Sequence, residues 1–298
     1  MTATALLEEI FSDPGITDVL LDGCKSALVE KDGKLQTISQ PFDNESDLNL
    51  WARNIMNQNN SRLDISKPIS EVTVETSAGL LRIHVVLAGE CSKRTQVSIR
   101  RHAFSNMDLD SLRLSGSLDE IQLNKLRQII SQKENFVIIG GTGSGKTTLL
   151  KAMLSEVANE RIITIEDAAE LNLSGNSVCL TTRRNNHEGV GEVTLSHLLR
   201  EALRMRPDRL VIGEARGEEL LLLLQAMNTG HSGSGFTLHA NSVRDLIPRM
   251  LAILAGIGVA PKLAKLLIRS SITWVIEVKR FDSNRTVTNI QRLGEIHE

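Results

Sequence analysis

The sequence contains no tyrosine, and its phenylalanines and tryptophans bring the aromatic content to only 3%. Proteins that grip single-stranded nucleic acid stack successive bases on aromatic rings, so this scarcity weighs against such a partner. Cysteine is equally sparse: Cys24, Cys91 and Cys179 are scattered, odd in number and contain no CxxC pair. That spacing excludes a disulfide framework and a zinc ribbon, and reads as reduced core thiols of a cytosolic protein. An excess of one charge is missing too. With 34 Lys and Arg against 36 Asp and Glu, the net charge of -2 gives no global pull toward phosphate backbones or anionic lipid, so any polyanion must be met by local charge. Long apolar runs are absent. Met250 to Ala260 is the longest, bounded by Arg249 and Pro261-Lys262, and it falls far short of the roughly 20 residues that span a bilayer. The first residues carry Glu8 and Glu9 where a signal peptide needs basic ones. A soluble protein without direct membrane insertion is expected.

What is present suffices for a real core: 298 residues hold two ordinary domains or one large one. The first third reads as small alternating elements. A helix over Thr4–Phe11 precedes a turn at Asp13-Pro14-Gly15, short strands cover Asp18–Leu21 and Ala27–Glu30, and Asp32-Gly33 marks a hairpin. Leu48, Trp51, Ala52, Ile55 and Met56 recur at three and four, which predicts a helix over Ser46–Asn59. Strands fit Leu80–Leu87 and Thr95–Arg100. This part, 1–104, is predicted to be a mixed α+β domain, and the polar, irregular stretch over 105–117 a linker.

Beyond it, over 118–298, strands and helices alternate at longer spacing. Helices are predicted at Leu118–Ser131, Gly145–Val157, Thr194–Met205 and Glu218–Met227, with Thr194 as a plausible N-cap. Strands are predicted at Asn135–Ile139, Arg161–Glu166, Ser177–Thr182, Arg209–Gly213 and Gly235–His239. This order implies βαβ units and a mostly parallel sheet covered on both faces.

Between the strand Asn135–Ile139 and the helix after it stands Gly140-Gly141-Thr142-Gly143-Ser144-Gly145-Lys146-Thr147, the spacing G-x-x-x-x-G-K-[ST]. Glycines let backbone N–H groups turn inward around a β-phosphate, and the helix N-terminus adds roughly half a positive charge. Lys146 then reaches β- and γ-phosphates, and the Thr147 hydroxyl holds Mg²⁺, with Thr148 beside it. The flanking strand and helix separate this motif from a functionless glycine-rich turn. Hydrolysis further needs carboxylates near the phosphates. Glu166-Asp167 and Glu214 close two predicted strands, and ligands bind at such C-terminal strand ends. Acidic residues there are often mere helix caps; beside a P-loop they read as functional. The segment from Gly230 to Asn241 holds His231 and His239 without cysteine or acidic ligands at zinc spacing. His239 ends a strand, where an imidazole can read the γ-phosphate. Arginines stand at Arg82, Arg100, Arg101, Arg183, Arg184, Arg200, Arg204, Arg206 and Arg216. One supplied from a neighbouring domain or subunit raises phosphoryl-transfer rates about 10³ to 10⁵-fold.

These residues together, GGTGSGKTT at 140–148, TIEDAAEL at 164–171, LREALRMRPDRLVIGEARGEE at 199–219 and QAMNTGHSGSGFTLHAN at 225–241, resemble the secretion ATPases of type II and type IV systems. Within them the chain looks most like the branch that assembles Flp, or tight-adherence, pili. Before residue 118 the likeness is thinner, resting on DPGITDVLLDG, the Arg82 strand and VSIRR. The resemblance implies an α/β fold, a RecA-like P-loop NTPase domain preceded by a smaller α+β domain. It implies ATP and Mg²⁺ as cofactors, without zinc, since the paired-cysteine module of many type II members is missing. Residues 140–147 match the Walker A box, Glu166 and Asp167 the Asp box, Glu214 the end of an atypical Walker B, and His231 to His239 the His box. The resemblance assigns Glu166 to orienting water, Glu214 and Thr147 to Mg²⁺, and Arg216 and His231 to the nucleotide. Arg82 and Arg100 match arginines that approach the site from the first domain, Arg101 less closely.

The resemblance further implies a homo-hexamer, cytoplasmic and peripherally associated with the inner membrane through a platform protein. Its expected work is assembly or secretion of pilin-type fibres. A type IV secretion or conjugation ATPase is the nearest alternative, and a non-hydrolysing regulator or scaffold the alternative of another class.

Overall fold

The computed structural model describes residues 3–31, 33–77, 79–102, 108–183, 185, 190–281 and 284–296. Contacts divide the chain into two units, one of Met1–Phe104 with Asn185–Gly191, the other of Ser105–Arg184 with Glu192–Glu298.

In the first unit, α1 (Ala3–Ile10) leads into β1 (Ile16–Asp22), β2 (Ser26–Lys31) and β3 (Lys34–Thr37), followed by α2 (Glu45–Gln58), β4 (Ile69–Thr76), β5 (Gly79–Val86) and β6 (Gln96–His102). The strands form one antiparallel sheet in the order β3-β2-β1-β6-β5-β4. Strict alternation decides its faces. Leu81, Ile83 and Val85 point into the core while Arg82 and His84 stand on the other face. Helix α2 starts where the Asn44 side chain accepts the Asp47 N–H at 3.0 Å, and it buries Leu48, Trp51, Ala52, Ile55 and Met56 against that core. The hairpin expected at Asp32-Gly33 joins β2 to β3 with Gly33 at φ 78°; Asp32 lies outside the described residues. Strands β3 and β4 are additions to the sequence reading, and β4 pairs along its whole length with β5.

The second unit begins with α3 (Leu109–Leu114), inside the stretch expected to be a linker. Asp108 caps it, and Leu109 and Leu112 sink into the core against the following helices, which is why a segment that reads as polar is ordered. Next come α4 (Glu120–Ser131), β7 (Phe136–Ile139), α5 (Lys146–Ser155), β8 (Ile162–Glu166), β9 (Ser177–Thr181), α6 (Leu195–Ala202), β10 (Arg209–Ile212), α7 (Glu218–Asn228) and β11 (Gly235–Leu238). Helices α8 (Val243–Gly256) and α9 (Pro261–Ser271), strands β12 (Trp274–Phe281) and β13 (Asn284–Arg292), and a 3-10 turn at Leu293–Glu295 complete it. The apolar run Met250 to Ala260 falls on α8 and the turn after it, and among the described residues no helix is long and apolar enough to cross a membrane.

The sheet runs β13-β12-β7-β11-β10-β8-β9, parallel throughout except for β13, which returns antiparallel to β12. Strands β7, β10 and β11 are buried at every position. Such strands read as continuous apolar runs because helices cover both faces. Phe136 and Ile138 face α3, α4 and α5, while Val137 and Ile139 face α6 to α9. All the parallel strands therefore deliver their C-terminal ends to one edge, and that edge carries the site.

Of the three cysteines, Cys91 and Cys179 are exposed and Cys24 half-buried, so the expectation of core thiols is corrected. Cys179 lies on the sheet's edge strand β9, which has no neighbour on one side.

Candidate functional site

Strand β7 ends at Ile139 and α5 begins at Lys146, so the loop between them hangs from the C-terminal edge of the sheet next to β11 on one side and β12 on the other. Gly140 could be no other residue. A Cβ there would lie 2.2 Å from the Val278 carbonyl oxygen of β12 and 2.6 Å from Ser144 Oγ. Gly145 caps α5 from the left-handed region at φ 96°. Gly141, Thr142 and Gly143 are exposed, whereas Ser144 is buried, its Oγ without a hydrogen-bond partner. Thr147 and Thr148, in the first turn of α5, are half-buried. A row of backbone N–H groups at a helix start, a buried hydroxyl left unpaired and an adjacent ammonium fit a polyphosphate.

That ammonium is buried. Lys146 Nζ donates to the carbonyls of Gly140 at 3.0 Å and Gly141 at 2.8 Å, and lies 3.4 Å from His239 Nδ1. Burial pulls its pKa down, opposed by the charges of Glu214 and Glu170. His239 follows the last residue of β11 and holds Nε2 3.2 Å from Glu214 Oε1. With Nδ1 turned to an ammonium and Nε2 to a carboxylate, its partners select the tautomer protonated on Nε2. Burial, and then the charge of Lys146, hold its pKa below the ordinary value.

Glu214 lies two residues past β10 and is gripped bidentately by Arg216, Nε to Oε1 and Nη2 to Oε2, both 2.9 Å. Burial pushes the Glu214 carboxyl up, but hydrogen bonding to Arg216 and the charges of Arg216, His239 and Lys146 outweigh it and leave it below the ordinary value. The bond to Glu214 raises the Arg216 pKa in turn. Arg216 Nη1 is also 3.5 Å from Asp167 Oδ2. Glu219, at the start of α7, accepts the N–H groups of Arg216 at 2.5 Å and Gly217 at 2.7 Å, fixing the turn that presents this arginine. One polar chain thus runs from Lys146 through His239, Glu214 and Arg216 to Asp167 along the strand ends.

Glu166 does not join it. This side chain is 2% exposed, and both its oxygens are occupied. Oε1 accepts the Thr164 hydroxyl at 2.9 Å and the Cys179 thiol at 3.4 Å, and Oε2 accepts the N–H groups of Glu170 and Leu171, both at 2.9 Å. Burial raises its pKa against those bonds. Through these bonds Glu166 ties the loop after β8 to the sheet. Its presence also explains Gly213, where other P-loop enzymes carry an aspartate, since a Cβ there would lie 3.1 Å from Glu166 Cγ.

His231 stands apart from these residues. It precedes β11 and so stands at the opposite edge of the sheet from the loop, where its N–H and Nδ1 meet the Ala226 carbonyl at 3.2 and 3.3 Å and finish α7. Arg82 and Arg100 face each other across β5 and β6 in the first unit. Each is held by an acid of that unit, Arg82 by Glu71 and Arg100 by Asp18, both at 2.8 Å. Arg101 turns the other way, bonding the Phe11 carbonyl and covering the Phe11 ring at 4.9 Å. Arg200 and Arg204 pair with Glu218 and Glu201, and Arg184 lies outside the described residues.

Sequence reasoning missed three residues of this edge. Glu170 contributes its charge to Lys146. On the far side of the loop, Arg285 Nε donates to the Gly143 carbonyl at 3.1 Å, and Arg280 Nη1 lies 3.5 Å from where a Gly143 Cβ would stand. Spacing could have pointed to Glu170, since TIEDAAEL sets a third carboxylate four residues after Glu166. Nothing local marks the arginines, because only the sheet order brings β12 and β13 to β7.

A parallel sheet covered on both faces, with a phosphate loop in its middle and carboxylates along the same edge, is a P-loop NTPase domain of the RecA-like kind; a smaller α+β domain precedes it. The chain belongs to the type II/IV secretion system protein family, whose model matches residues 32–289. It is 36% identical over 302 residues to a Mycobacterium tuberculosis protein that carries a conjugal-transfer name, covering 99% of this chain and 84% of that one. Over 198 residues it is 33% identical to the conjugal transfer protein TrbB of Rhizobium radiobacter, covering 65% of this chain and 58% of that one. The solved VirB11 ATPase of the Brucella suis type IV secretion system, in complex with sulphate, aligns with a TM-score of 0.51 at 25% identity over 97% of this chain and 96% of that one.

Among the described residues no group of three or more His, Cys, Asp and Glu is placed to hold a metal ion by itself. Mg²⁺ does not require one, because it retains waters and takes substrate phosphates as ligands. The Thr147 hydroxyl beside Lys146 and the half-buried, ionised Glu214 suit a metal held partly through water.

Proposed function

We propose that this chain is an ATP-hydrolysing motor subunit of a type IV secretion or conjugation-type transfer system, acting as a homo-hexamer at the cytoplasmic side of the inner membrane through a membrane partner. The observation that carries this reading is the joined set at the sheet edge: a buried P-loop lysine linked through His239 to Glu214 and Arg216. The relatives' names support transfer through a type IV system better than the Flp-pilus assembly the motifs first suggest.

In this reading the backbone N–H groups from Gly141 to Thr147 take the phosphates, and Lys146 exchanges its carbonyl partners for β- and γ-oxygens. Mg²⁺, when bound, neutralises charge on those oxygens. Glu214, joined to Lys146 through His239, orients the attacking water and would help hold the metal. His239 relays the γ-phosphate's presence to the β11 strand end. Arg82 and Arg100 are assigned to the phosphates of the same or a neighbouring copy.

The test is steady-state ATP hydrolysis by the purified chain and by Lys146→Ala, both as assembled oligomers. Hydrolysis by the first, lost by the second, is expected. Equal, background-level rates for both would favour a non-hydrolysing regulator. A relaxase gene in the neighbourhood supports the transfer reading, and pilin genes support fibre assembly.

A further inference from the structure

Glu214, given above to the attacking water and the metal, is already engaged. Arg216 covers both of its oxygens through Nε and Nη2 at 2.9 Å, and His239 Nε2 stands 3.2 Å from Oε1. The chain sets this grip by alternation. Buried Ala215 gives its N–H to the Thr237 carbonyl of β11 at 3.0 Å, so its neighbours Glu214 and Arg216 turn together toward the site. Buried Glu219 accepts the N–H groups of Arg216 and Gly217, which fixes the backbone of the turn and leaves the Arg216 side chain as the part that can move. That side chain is 56% exposed, and a second seat lies close to it. Its third nitrogen, Nη1, is 3.5 Å from Oδ2 of Asp167, an exposed carboxylate that the Thr182 hydroxyl meets at 3.4 Å on Oδ1. One guanidinium thus stands between two acids, gripping one and near the other. A divalent cation on Glu214 and a guanidinium at the same oxygens repel each other, so Glu214 cannot serve both at once.

We propose that Arg216 is a positioning residue that locks Glu214 away from metal and water, and that it passes to Asp167 before Glu214 takes up either. The proposal rests on the nucleotide-binding reading above and deepens it, since Arg216 then acts through Glu214 and not on the phosphates. Leaving Glu214 breaks a two-point grip, and the seat on Asp167 restores one charge-assisted bond of the two. The difference is met by whatever binds Glu214 better once the arginine has gone. Asp167 is therefore the residue that lets the lock open.

The experiment is calorimetric titration of the full chain with a non-hydrolysable ATP analogue, once with Mg²⁺ and once with EDTA, beside steady-state hydrolysis. Compared are the unaltered chain, Asp167→Asn, Arg216→Gln, Arg216→Lys, Asp167→Asn combined with each Arg216 variant, and Lys146→Ala. Each has its melting temperature measured without nucleotide. Asp167→Asn is expected to weaken the analogue roughly tenfold in Mg²⁺, the worth of one charge-assisted bond, to leave it unchanged in EDTA, and to lower kcat. Arg216→Gln should bind the analogue in Mg²⁺ at least as tightly as the unaltered chain does, and beside it Asp167→Asn should cost nothing. That rescue marks a lock, because an acid that merely holds its loop is missed as much with Arg216 absent as with it present. Equal losses in both backgrounds overturn the proposal, as does an Asp167→Asn chain indistinguishable from the unaltered one. Weaker analogue binding by Arg216→Gln in either condition also overturns it, by making Arg216 a ligand of the nucleotide. If Arg216→Gln does not fold, Arg216→Lys serves: it keeps the charge but not the two-point grip, so Asp167→Asn should cost less beside it, and an undiminished cost sinks the lock. Should the unaltered chain bind the analogue no better than Lys146→Ala does, the nucleotide reading itself fails and takes the lock with it.

Discussion

At the scale of single residues, burial separates carboxylates that the sequence presents alike, and sequence does not show burial. TIEDAAEL offers Glu166, Asp167 and Glu170 as equals, yet four hydrogen bonds hold the first and none of its oxygens remains for water. Glu166→Gln is therefore expected to keep turnover within several-fold of the unaltered enzyme. Glu214→Gln should lower kcat at least 100-fold, in line with the loss of a positioned base, while ADP still binds. A reversed order in steady-state assays returns the water-orienting role to Glu166. His239 gives a pH prediction. Its folded pKa lies below the ordinary 6.5, so the unfolded chain takes up the proton first. The contribution to stability is then present above about pH 6.5 and lost as pH falls through the lower, folded value. His239→Gln should lose less of its melting temperature than the unaltered chain between pH 7.5 and pH 5; an identical loss contradicts the depressed pKa.

At the scale of elements, local pattern sufficed for the strand, loop and helix over 136–155, because apolar strand, glycine loop and the helix that follows are all written within one stretch of chain. The same holds for the ends of β8, β10 and β11, each an apolar run closing on a polar residue. What could not be read was adjacency. Strand β12 is buried over its first five residues only because it lies beside β7, far away in sequence. The arginines beyond that stretch therefore carried no visible relation to the phosphate loop. Arg209 at the start of β10 is a parallel case: it looks like a surface residue flanking a strand, yet it is 0% exposed. Glu160 holds it through Nε at 3.1 Å and Nη2 at 2.9 Å, and the carbonyls of Ile130 and Gly233 take other donors. Glu160→Ala leaves that buried charge without its counter-ion, which costs about 3 kcal/mol. Chemical denaturation should show the loss, and a midpoint within error of the unaltered protein would mean that Arg209 finds another acid.

At the scale of the whole molecule, the two units differ in how their sheets are wired. The first is antiparallel and built from hairpins joined by one distant pairing, β1 with β6, while the second is parallel but for β13 and needs crossovers, so alternation exposes the one and β-α-β order the other. Assembly is invisible to both patterns, because nothing in a single chain's periodicity marks which exposed side chains meet another copy. The homo-hexamer proposed above predicts a mass about six times that of the 32.8 kDa chain by light scattering with a non-hydrolysable ATP analogue. A monomer under saturating analogue, in protein that hydrolyses ATP, argues for a motor that works without a ring. The order β12-β7-β11 has a consequence in time as well as in space. The phosphate loop is synthesised near the middle of the chain, but one of its walls, with Val278 against Gly140 and Arg285 on Gly143, is made only when residues 274–292 emerge. At 5–20 residues per second the ribosome takes about 7–30 s to get from one to the other. Through that interval the nascent chain carries an unfinished pocket, so the loop gains its second wall only after β12 and β13 have been made.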